Sequence, residues 1–268
     1  MWFDQSGFDL RCEWGERAAE ILSPLVDAVI LVDVLSFTTC VDIATSRGAF
    51  VFPYRWKDAT SIAFARDVDA ILAGPRDATR ISLSPASLLH VMPDTRIVLP
   101  SPNGATLSLL TGSTPAFAGC LRNAEAVAHA AQAVGPKIAV IPAGERWPDG
   151  SLRPCLEDWL GAGAILRYLS GSASPEAEAA RLAYGQHEHR LAETVRECAS
   201  GRELIEQGWA RDVALASEIG VSRAAPRLTG GAYRSMNPIR RGYTAPSSAA
   251  RRRARCRIAT SSCEFPDA

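Results

Sequence analysis

The chain has 268 residues, 47% of them hydrophobic and 22% charged, which is enough for one large domain or two small ones with an ample core. No apolar run approaches the roughly 20 residues of a membrane span, and residues 1–4 carry an acid where a signal peptide has basic residues. We therefore expect a cytoplasmic protein that does not contact the membrane. Seven cysteines without a C-x-x-C pair argue against a disulfide framework and a zinc ribbon.

The formal net charge of zero conceals an uneven distribution. Residues 232–268 contain eight arginines and two acids, which leaves 21 basic and 27 acidic residues in 1–231. The segment 232–268 has no apolar period, so we expect a basic and poorly ordered tail. Arginine runs of this kind can contact nucleic acid or anionic lipid, but a solvated tail without a specific partner is the favoured interpretation.

Strand and helix patterns alternate along the chain up to residue 166. Strands are predicted at 8–14, 28–33, 49–52, 69–73, 96–99 and 137–141, and helices at 16–22, 38–46, 58–66, 85–89, 105–110, 124–134 and 156–166. This alternation is the βαβ rhythm of a mostly parallel sheet. Residues 174–218 have helical patterns throughout. The sequence predicts a single α/β domain over 1–231, with a mostly parallel or mixed sheet flanked by helices and an extra helical layer from 174–218.

The apolar run at residues 28–32 ends abruptly at Asp33, and Thr38 and Thr39 open the next predicted helix. Such a run is typical of a strand that is buried on both faces, and ligands bind at the carboxyl ends of such strands. A carboxylate there is placed to hold a metal ion, while helix-start N–H groups and hydroxyls are placed to hold an anion. We infer a metal-assisted site for a phosphorylated small molecule.

Three further groups of polar residues fall at predicted strand ends or helix starts. They are residues 82–84, Ser101 with Asn103 and Gly104, and Gly144-Glu145 with Glu157 and Asp158. We expect them to converge on Asp33 at one edge of a parallel sheet. Taken singly, Ser84 and Asn103 can be helix caps and the acids at 157 and 158 can complement a helix N-terminus. Taken together, Asp33 with Glu157 or Asp158 supplies the one or two carboxylates that Mg²⁺ prefers besides water and phosphate oxygens.

Two common nucleotide-binding patterns are absent from the sequence. It contains neither the G-x-x-x-x-G-K-[ST] loop nor the dinucleotide fingerprint G-x-G-x-x-G. The four histidines are assigned surface or core roles. Gly161 and Gly163 interrupt a predicted helix, where each costs about 1 kcal/mol relative to alanine, so they indicate close packing against a neighbour.

These motifs together resemble the 2-phosphosulfolactate phosphatase family over residues 8–231. The resemblance rests on Val32-Asp33-Val34-Leu35 with Thr38-Thr39, Leu83-Ser84-Pro85, Asn103-Gly104, Asn123, and Ala143-Gly144 followed by Leu156-Glu157-Asp158 and Gly161-Ala-Gly163. It implies an α/β fold and a Mg²⁺-dependent hydrolysis of 2-phospho-3-sulfolactate to 3-sulfolactate and phosphate, a step toward coenzyme M. We expect Asp33, Glu157 and Asp158 to be catalytic and to hold Mg²⁺. The expected substrate-binding residues are Ser36, Thr38, Thr39, Ser84, Asn103, Gly104, Asn123 and Gly144.

The chain departs from the family pattern at three motifs. The usual Asp-Val-Leu-Arg-Ala-Thr-Thr has Ser36-Phe37 in place of Arg-Ala, Gly-Asn-Ser-Pro reads Ser82-Leu83-Ser84-Pro85, and Thr-Asn-Gly-Thr reads Pro102-Asn103-Gly104-Ala105. Ser36 thus replaces an arginine suited to a sulfonate or phosphate, and Arg76, Arg146 or Arg153 are candidates to restore its charge. The alternatives are a same-fold phosphatase for another small anionic substrate and a catalytically silent anion-binding module. The sequence also leaves open whether the protein forms a homo-oligomer.

Overall fold

Strands and helices alternate as the sequence predicts in the computed structural model, which describes residues 2–56, 58–77 and 80–235. The strands are β1 (Leu10–Cys12), β2 (Ala28–Val32), β3 (Phe50–Tyr54), β4 (Ile71–Leu72), β5 (Arg96–Pro100), β6 (Ala116–Gly119), β7 (Ile138–Pro142), β8 (Glu145–Arg146), β9 (Leu152–Arg153), β10 (Pro226–Thr229) and β11 (Ala232–Ser235). The helices are α1 (Gly15–Leu22), α2 (Phe37–Ser46), α3 (Ala59–Asp67), α4 (Gly104–Leu110), α5 (Ala124–Gln132), α6 (Leu156–Leu166), α7 (Pro175–His187), α8 (Leu191–Glu197), α9 (Ala199–Glu206) and α10 (Ala210–Ala216). A short 3-10 helix, Pro85–Leu88, stands where a helix was predicted at 85–89.

Nine strands form one mixed sheet in the order β1-β7-β2-β6-β10-β11-β3-β5-β4. The first four strands pair in parallel, as do the last three. The β10–β11 hairpin lies between these two blocks and pairs antiparallel with β6 on one side and β3 on the other. The predicted α/β fold with a parallel or mixed sheet is confirmed.

The hairpin corrects the predicted start of the tail at residue 232. Residues 232–235 are a central strand of the sheet, and Tyr233 within it is fully buried. Gly230 and Gly231 have φ of 60° and 80°, the left-handed values that a two-residue hairpin turn needs, so this pair forms a turn and does not end the domain. The remainder of the predicted tail, residues 236–268, lies outside the described residues.

Helices cover both faces of the first parallel block. On one face Ile30 and Val32 of β2 belong to a core cluster that includes α5, α6 and α7, and on the other Val29 and Leu31 pack with α1 and α4. All five residues of β2 are buried, which confirms a strand buried on both faces. The apolar run therefore fixes the position of the loop that begins at Asp33.

The predicted helical layer corresponds to α7–α10, which lie within residues 175–216. Helix α7 packs along α6, and α10 packs against the 3-10 helix. Among the described residues, no helix is long and apolar enough to cross a membrane. Five cysteines in the described part of the chain are free and buried.

Candidate functional site

A polar cavity of about 160 Å³ lies where the loops after β2, β4, β5 and β7 meet helix α9. Its lining residues are Asp33, Leu35, Ser36, Arg76, Leu83, Ser101, Pro102, Asn103, Glu145, Ser200, Glu203 and Leu204. The cavity is small, which suits a compact ligand. Within this described lining, three carboxylates face a single cation, Arg76.

The loops that line the cavity meet even though the two parallel blocks of the sheet run in opposite directions. Three antiparallel pairings separate β6 from β3, so the strands of the second block run opposite to those of the first. The polar groups therefore meet in one cavity, as expected, but the expectation that they do so at one edge of a parallel sheet is wrong. The contact between the loops is consistent with the twist of about 20–25° per strand pair that open sheets accumulate.

Asp33 is held by backbone amides from two separate elements. Its Oδ1 accepts a hydrogen bond from the N–H of Phe37 at 2.9 Å, and its Oδ2 accepts one from the N–H of Gly104 at 2.9 Å. A Cβ on Gly104 would lie only 2.6 Å from Oδ2, so this approach requires glycine. Burial raises the pKa of Asp33, opposed by these two hydrogen bonds. The structure thus brings Asp33 and Gly104 together, as predicted.

Thr38 and Thr39 hold the loop after β2 instead of facing the cavity. The hydroxyl of Thr38 donates to the carbonyl of Asp33 at 2.8 Å, and the hydroxyl of Thr39 donates to the carbonyl of Val34 at 2.8 Å. Both threonines are fully buried. Their polar groups serve the turn between strand and helix, so the geometry does not support the predicted contact with an anion.

The acids at the start of α6 are buried beside the cavity but outside its described lining. Asp158 accepts hydrogen bonds from the N–H of Val34 at 2.7 Å and from the N–H of Gly144 at 2.9 Å. Glu157 Oε2 accepts a hydrogen bond from the Cys198 thiol at 3.2 Å. Burial and then the charge of Glu157 raise the pKa of Asp158. Asp158 therefore ties two loops together.

Glu145 is a second carboxylate of the cavity and is half-buried, whereas the third, Glu203, is exposed. The side-chain amide of Asn103 donates to Glu145 Oε2 at 2.7 Å. Burial, followed by repulsion from Asp33, raises the pKa of Glu145 to about 7. In the sequence Glu145 stands in one of the predicted polar groups, but nothing in its spacing distinguished it from Glu157 and Asp158.

The predicted metal set of Asp33, Glu157 and Asp158 is not assembled as a group of ligands. In the described part of the chain, no cluster of three or more His, Cys, Asp or Glu side chains is placed to hold a metal ion. Two carboxylates, Asp33 and Glu145, do face one cavity. Two carboxylates suffice for Mg²⁺ when water and phosphate oxygens complete its coordination.

Ser36 lines the cavity at the position where the resemblance places an arginine. The Nη2 of Arg76 donates to the Ser36 hydroxyl at 2.9 Å. Of the other two candidate arginines, Arg146 pairs with Glu16, and Arg153 reaches Ser200 Oγ at 3.5 Å. Arg76 is therefore the candidate that the structure places in the described lining of the cavity.

The structure does not bring the remaining predicted substrate ligands into the cavity. Ser84 donates to Asp212 Oδ1 at 2.7 Å, so its hydroxyl holds the C-terminal helical layer. Asn123 is fully buried and bonds to the N–H of Cys120 and the carbonyl of Ala118. Gly144 gives its N–H to Asp158 and has a φ of 66°, which explains the glycine. These residues shape the loops around the site.

Sequence comparison places the chain among phosphatases. A family model described as 2-phosphosulpholactate phosphatase matches residues 18–231, so the chain belongs to that family. The chain is also 28% identical over 216 residues to the 2-phosphosulfolactate phosphatase of Methanothermobacter thermautotrophicus (strain Delta H). That alignment covers 79% of this chain and 91% of the relative. The family resemblance stated from the motifs is confirmed.

Proposed function

We propose that the protein is a Mg²⁺-dependent phosphatase that hydrolyses a small phosphomonoester, with 2-phospho-3-sulfolactate as the first candidate. Family membership and the name of the archaeal relative support a phosphatase of this substrate class. The observation that carries the proposal is a pair of carboxylates, the buried Asp33 and the half-buried Glu145, in one small polar cavity.

Asp33 and Glu145 are the residues that would hold Mg²⁺. Burial disfavours the ionised form of both carboxylates, and repulsion from Asp33 adds to the raised pKa of Glu145. A cation between such groups favours their ionised forms, so the donor set fits a divalent ion. When bound, Mg²⁺ would supply positive charge to polarise the phosphate and stabilise the oxygen that leaves.

The residues of the chain would position the phosphate for attack by water. In this hydrolysis water attacks phosphorus, the ester P–O bond breaks, and the departing oxygen takes a proton to give an alcohol and phosphate. Phe37 and Gly104 fix the Asp33 carboxylate before any ligand arrives, which limits the reorganisation that the reaction needs. The Ser36 hydroxyl accepts from Arg76, so its own proton is available for a substrate oxygen.

Phosphate release in the presence of Mg²⁺ tests this proposal, with 2-phospho-3-sulfolactate and a panel of phosphomonoesters as substrates. We expect Asp33→Asn to lower kcat/KM by at least about 100-fold, because it removes a fixed charge from the reacting centre. Asp58→Asn is the control, since Asp58 caps α3 at an exposed position and asparagine is also a good N-cap. Chelation by EDTA should abolish turnover, and Mg²⁺ should restore it.

Other outcomes of the assay separate the alternatives. Turnover of another member of the panel, without turnover of 2-phospho-3-sulfolactate, would identify a same-fold phosphatase with a different substrate. Binding of inorganic phosphate without turnover of any member would indicate a catalytically silent anion-binding module. Wild-type turnover in Asp33→Asn would show that the proposed role of Asp33 is wrong.

A further inference from the structure

Arg76 is fixed in place by residues from three parts of the chain. Its Nε donates to the carbonyl of Leu83 at 2.9 Å and its Nη2 to the hydroxyl of Ser36 at 2.9 Å. Its Nη1 faces Asp212 Oδ2 at 3.9 Å, and the Arg76 side chain is 19% exposed to solvent. This fixed guanidinium lines the cavity.

The contact between Arg76 and Asp212 leaves hydrogen-bonding capacity unused. Within the described part of the chain, Nη1 of Arg76 and Oδ2 of Asp212 are buried atoms that make no hydrogen bond. Asp212 itself cannot shift freely, because its Oδ1 accepts from the hydroxyl of Ser84 at 2.7 Å and from the N–H of Ala86 at 3.0 Å. The guanidinium is thus short of hydrogen-bond partners, and because the Arg76 side chain is partly exposed in the cavity lining, a ligand oxygen there would supply a further partner.

Arg76 and Glu145 lie on different sides of the cavity, because each also lines a different neighbouring cleft. Asn103 and Glu145 also line a neighbouring cleft beside α1. Arg76, Leu83 and Pro102 instead line a second cleft, of about 400 Å³, beside Trp56. A ligand that spans the cavity therefore meets Glu145 with Asn103 on one side and the Arg76 guanidinium on the other, with Asp33 in the same lining.

We propose that Arg76 binds a second anionic group of the substrate, a carboxylate or a sulfonate, while Asp33 and Glu145 face the phosphate. Asp212 acts as a positioning residue, since it touches the guanidinium and not the cavity lining described above. This inference rests on the proposed function for the identity of the reaction, and it assigns substrate specificity to Arg76. A planar guanidinium suits carboxylate and sulfonate oxygens because it can present two parallel donors.

Three esters with the phosphate on the second carbon separate this role from phosphate binding. They are 2-phospho-3-sulfolactate, 2-phospholactate, which lacks the sulfonate, and glycerol 2-phosphate, which has no other charge. We expect Arg76→Ala to raise KM about 10- to 100-fold for the substrate that has the recognised anion, the range for a lost hydrogen bond to a charged group. KM for glycerol 2-phosphate should change less than about 3-fold, and kcat should change little for every ester.

The series also identifies the recognised group. If KM rises only for 2-phospho-3-sulfolactate, Arg76 binds the sulfonate. If KM rises equally for 2-phospholactate, Arg76 binds the carboxylate. Both outcomes support the proposal. Equal losses for all three esters would overturn it, since Arg76 would then act on the phosphate. Unchanged kinetics for all three would also overturn it.

Controls separate binding from damage to the fold. Arg76→Lys keeps the positive charge without the two parallel donors of a guanidinium, so it should raise KM by a smaller factor than Arg76→Ala. Added guanidinium should partly restore the KM of Arg76→Ala. Asp212→Asn should raise KM for the same ester with a smaller factor than Arg76→Ala. Arg146→Ala is the matched control, because Arg146 pairs with Glu16 outside the described lining of the cavity.

A binding measurement keeps the inference independent of turnover. In a thermal-shift titration, 3-sulfolactate should stabilise the wild type and not Arg76→Ala, whereas inorganic phosphate should stabilise both. If the wild type hydrolyses none of the esters but shows this pattern, the proposed function fails and the anion subsite stands. If 3-sulfolactate stabilises Arg76→Ala as well as the wild type, the anion subsite is wrong.

Discussion

At the scale of a single residue, Glu145 makes the free energy of unfolding depend on pH. Its pKa rises from an ordinary value of 4.5 to about 7, mainly through burial. Between these values the folded protein keeps a proton that the unfolded chain has released. Because the folded state binds more protons in this window, the free energy of unfolding falls as pH rises from about 4.5 to about 7 and then levels off. The maximum loss from this one group is about 3 kcal/mol.

Urea denaturation at pH 5 and pH 8, with EDTA present, measures this loss. We expect the wild type to be less stable at pH 8 and Glu145→Gln to show a smaller difference between the two pH values, because glutamine has no proton to lose. Added Mg²⁺ should reduce the loss in the wild type if the ion binds the carboxylate pair. The same pH dependence in the wild type and in Glu145→Gln would contradict the assignment of the raised pKa to Glu145.

The sequence could indicate those site residues whose signal is local. Asp33 and the pair Asn103-Gly104 stand where a buried strand ends and a helix begins, and both positions lie at the site. The acids at 157 and 158 have a similar signal, but α6 turns them toward the loop amides and a thiol. Whether a polar group faces a cavity or a backbone amide depends on tertiary contacts, which neighbouring residues do not encode.

At the scale of elements, the packing of α6 against α7 is the feature that two residues of the sequence predict most clearly. Gly161 and Gly163 were predicted to allow close packing, and the structure confirms it. A Cβ on Gly163 would lie 2.1 Å from the carbonyl oxygen of Ala180 in α7, and one on Gly161 would lie 2.8 Å from Val32 and Val34. The glycines thus let α6 approach both its neighbouring helix and the strand that leads to Asp33.

Gly163→Ala should destabilise the protein by at least about 2 kcal/mol, because the obstructing atom belongs to the backbone and the helices must separate. Gly185→Ala in α7 is the matched control, since a Cβ there meets nothing within 4 Å. That substitution should stabilise the protein by about 0.5–1 kcal/mol, through the higher helix propensity of alanine. Urea denaturation of both variants measures the difference. A Gly163→Ala variant as stable as the wild type would show that the two helices are not in close contact.

Element prediction succeeded where an apolar period was present and failed where it was not. Strand β6 was missed because its sequence, Ala-Phe-Ala-Gly, contains no β-branched residue, yet all four of its residues are buried. The β10–β11 hairpin was missed because its exposed and charged residues conceal the alternation, so the domain was predicted to end at residue 231. These three strands connect the two parallel blocks, so the order of the sheet could not be derived from the sequence.

At the scale of the whole molecule, the last described strand supports the loop that begins the site. Tyr233 in β11 is fully buried, with its ring edge-on to Phe37 at a centroid distance of 6.2 Å. Its hydroxyl lies 2.8 Å from Ser108 Oγ, which donates its own proton to the carbonyl of Gly104. Phe37 and Gly104 are the two residues whose amides hold Asp33. A residue 200 positions along the chain from Asp33 thus contacts one of its anchors directly and the other through Ser108.

Tyr233 therefore couples the stability of the sheet to the geometry of the site. Tyr233→Phe removes the hydroxyl that bonds to Ser108 and should cost about 1 kcal/mol of unfolding free energy, with the cavity intact. Tyr233→Ala leaves a void beside Phe37 and should cost about 3–5 kcal/mol. Tyr168→Ala is the control, because Tyr168 is 37% exposed and its loss should cost much less. Urea denaturation gives the three values, and phosphate release on the same samples should fall more in Tyr233→Ala than in Tyr168→Ala. Equal stability of the two alanine variants would show that β11 does not support the core.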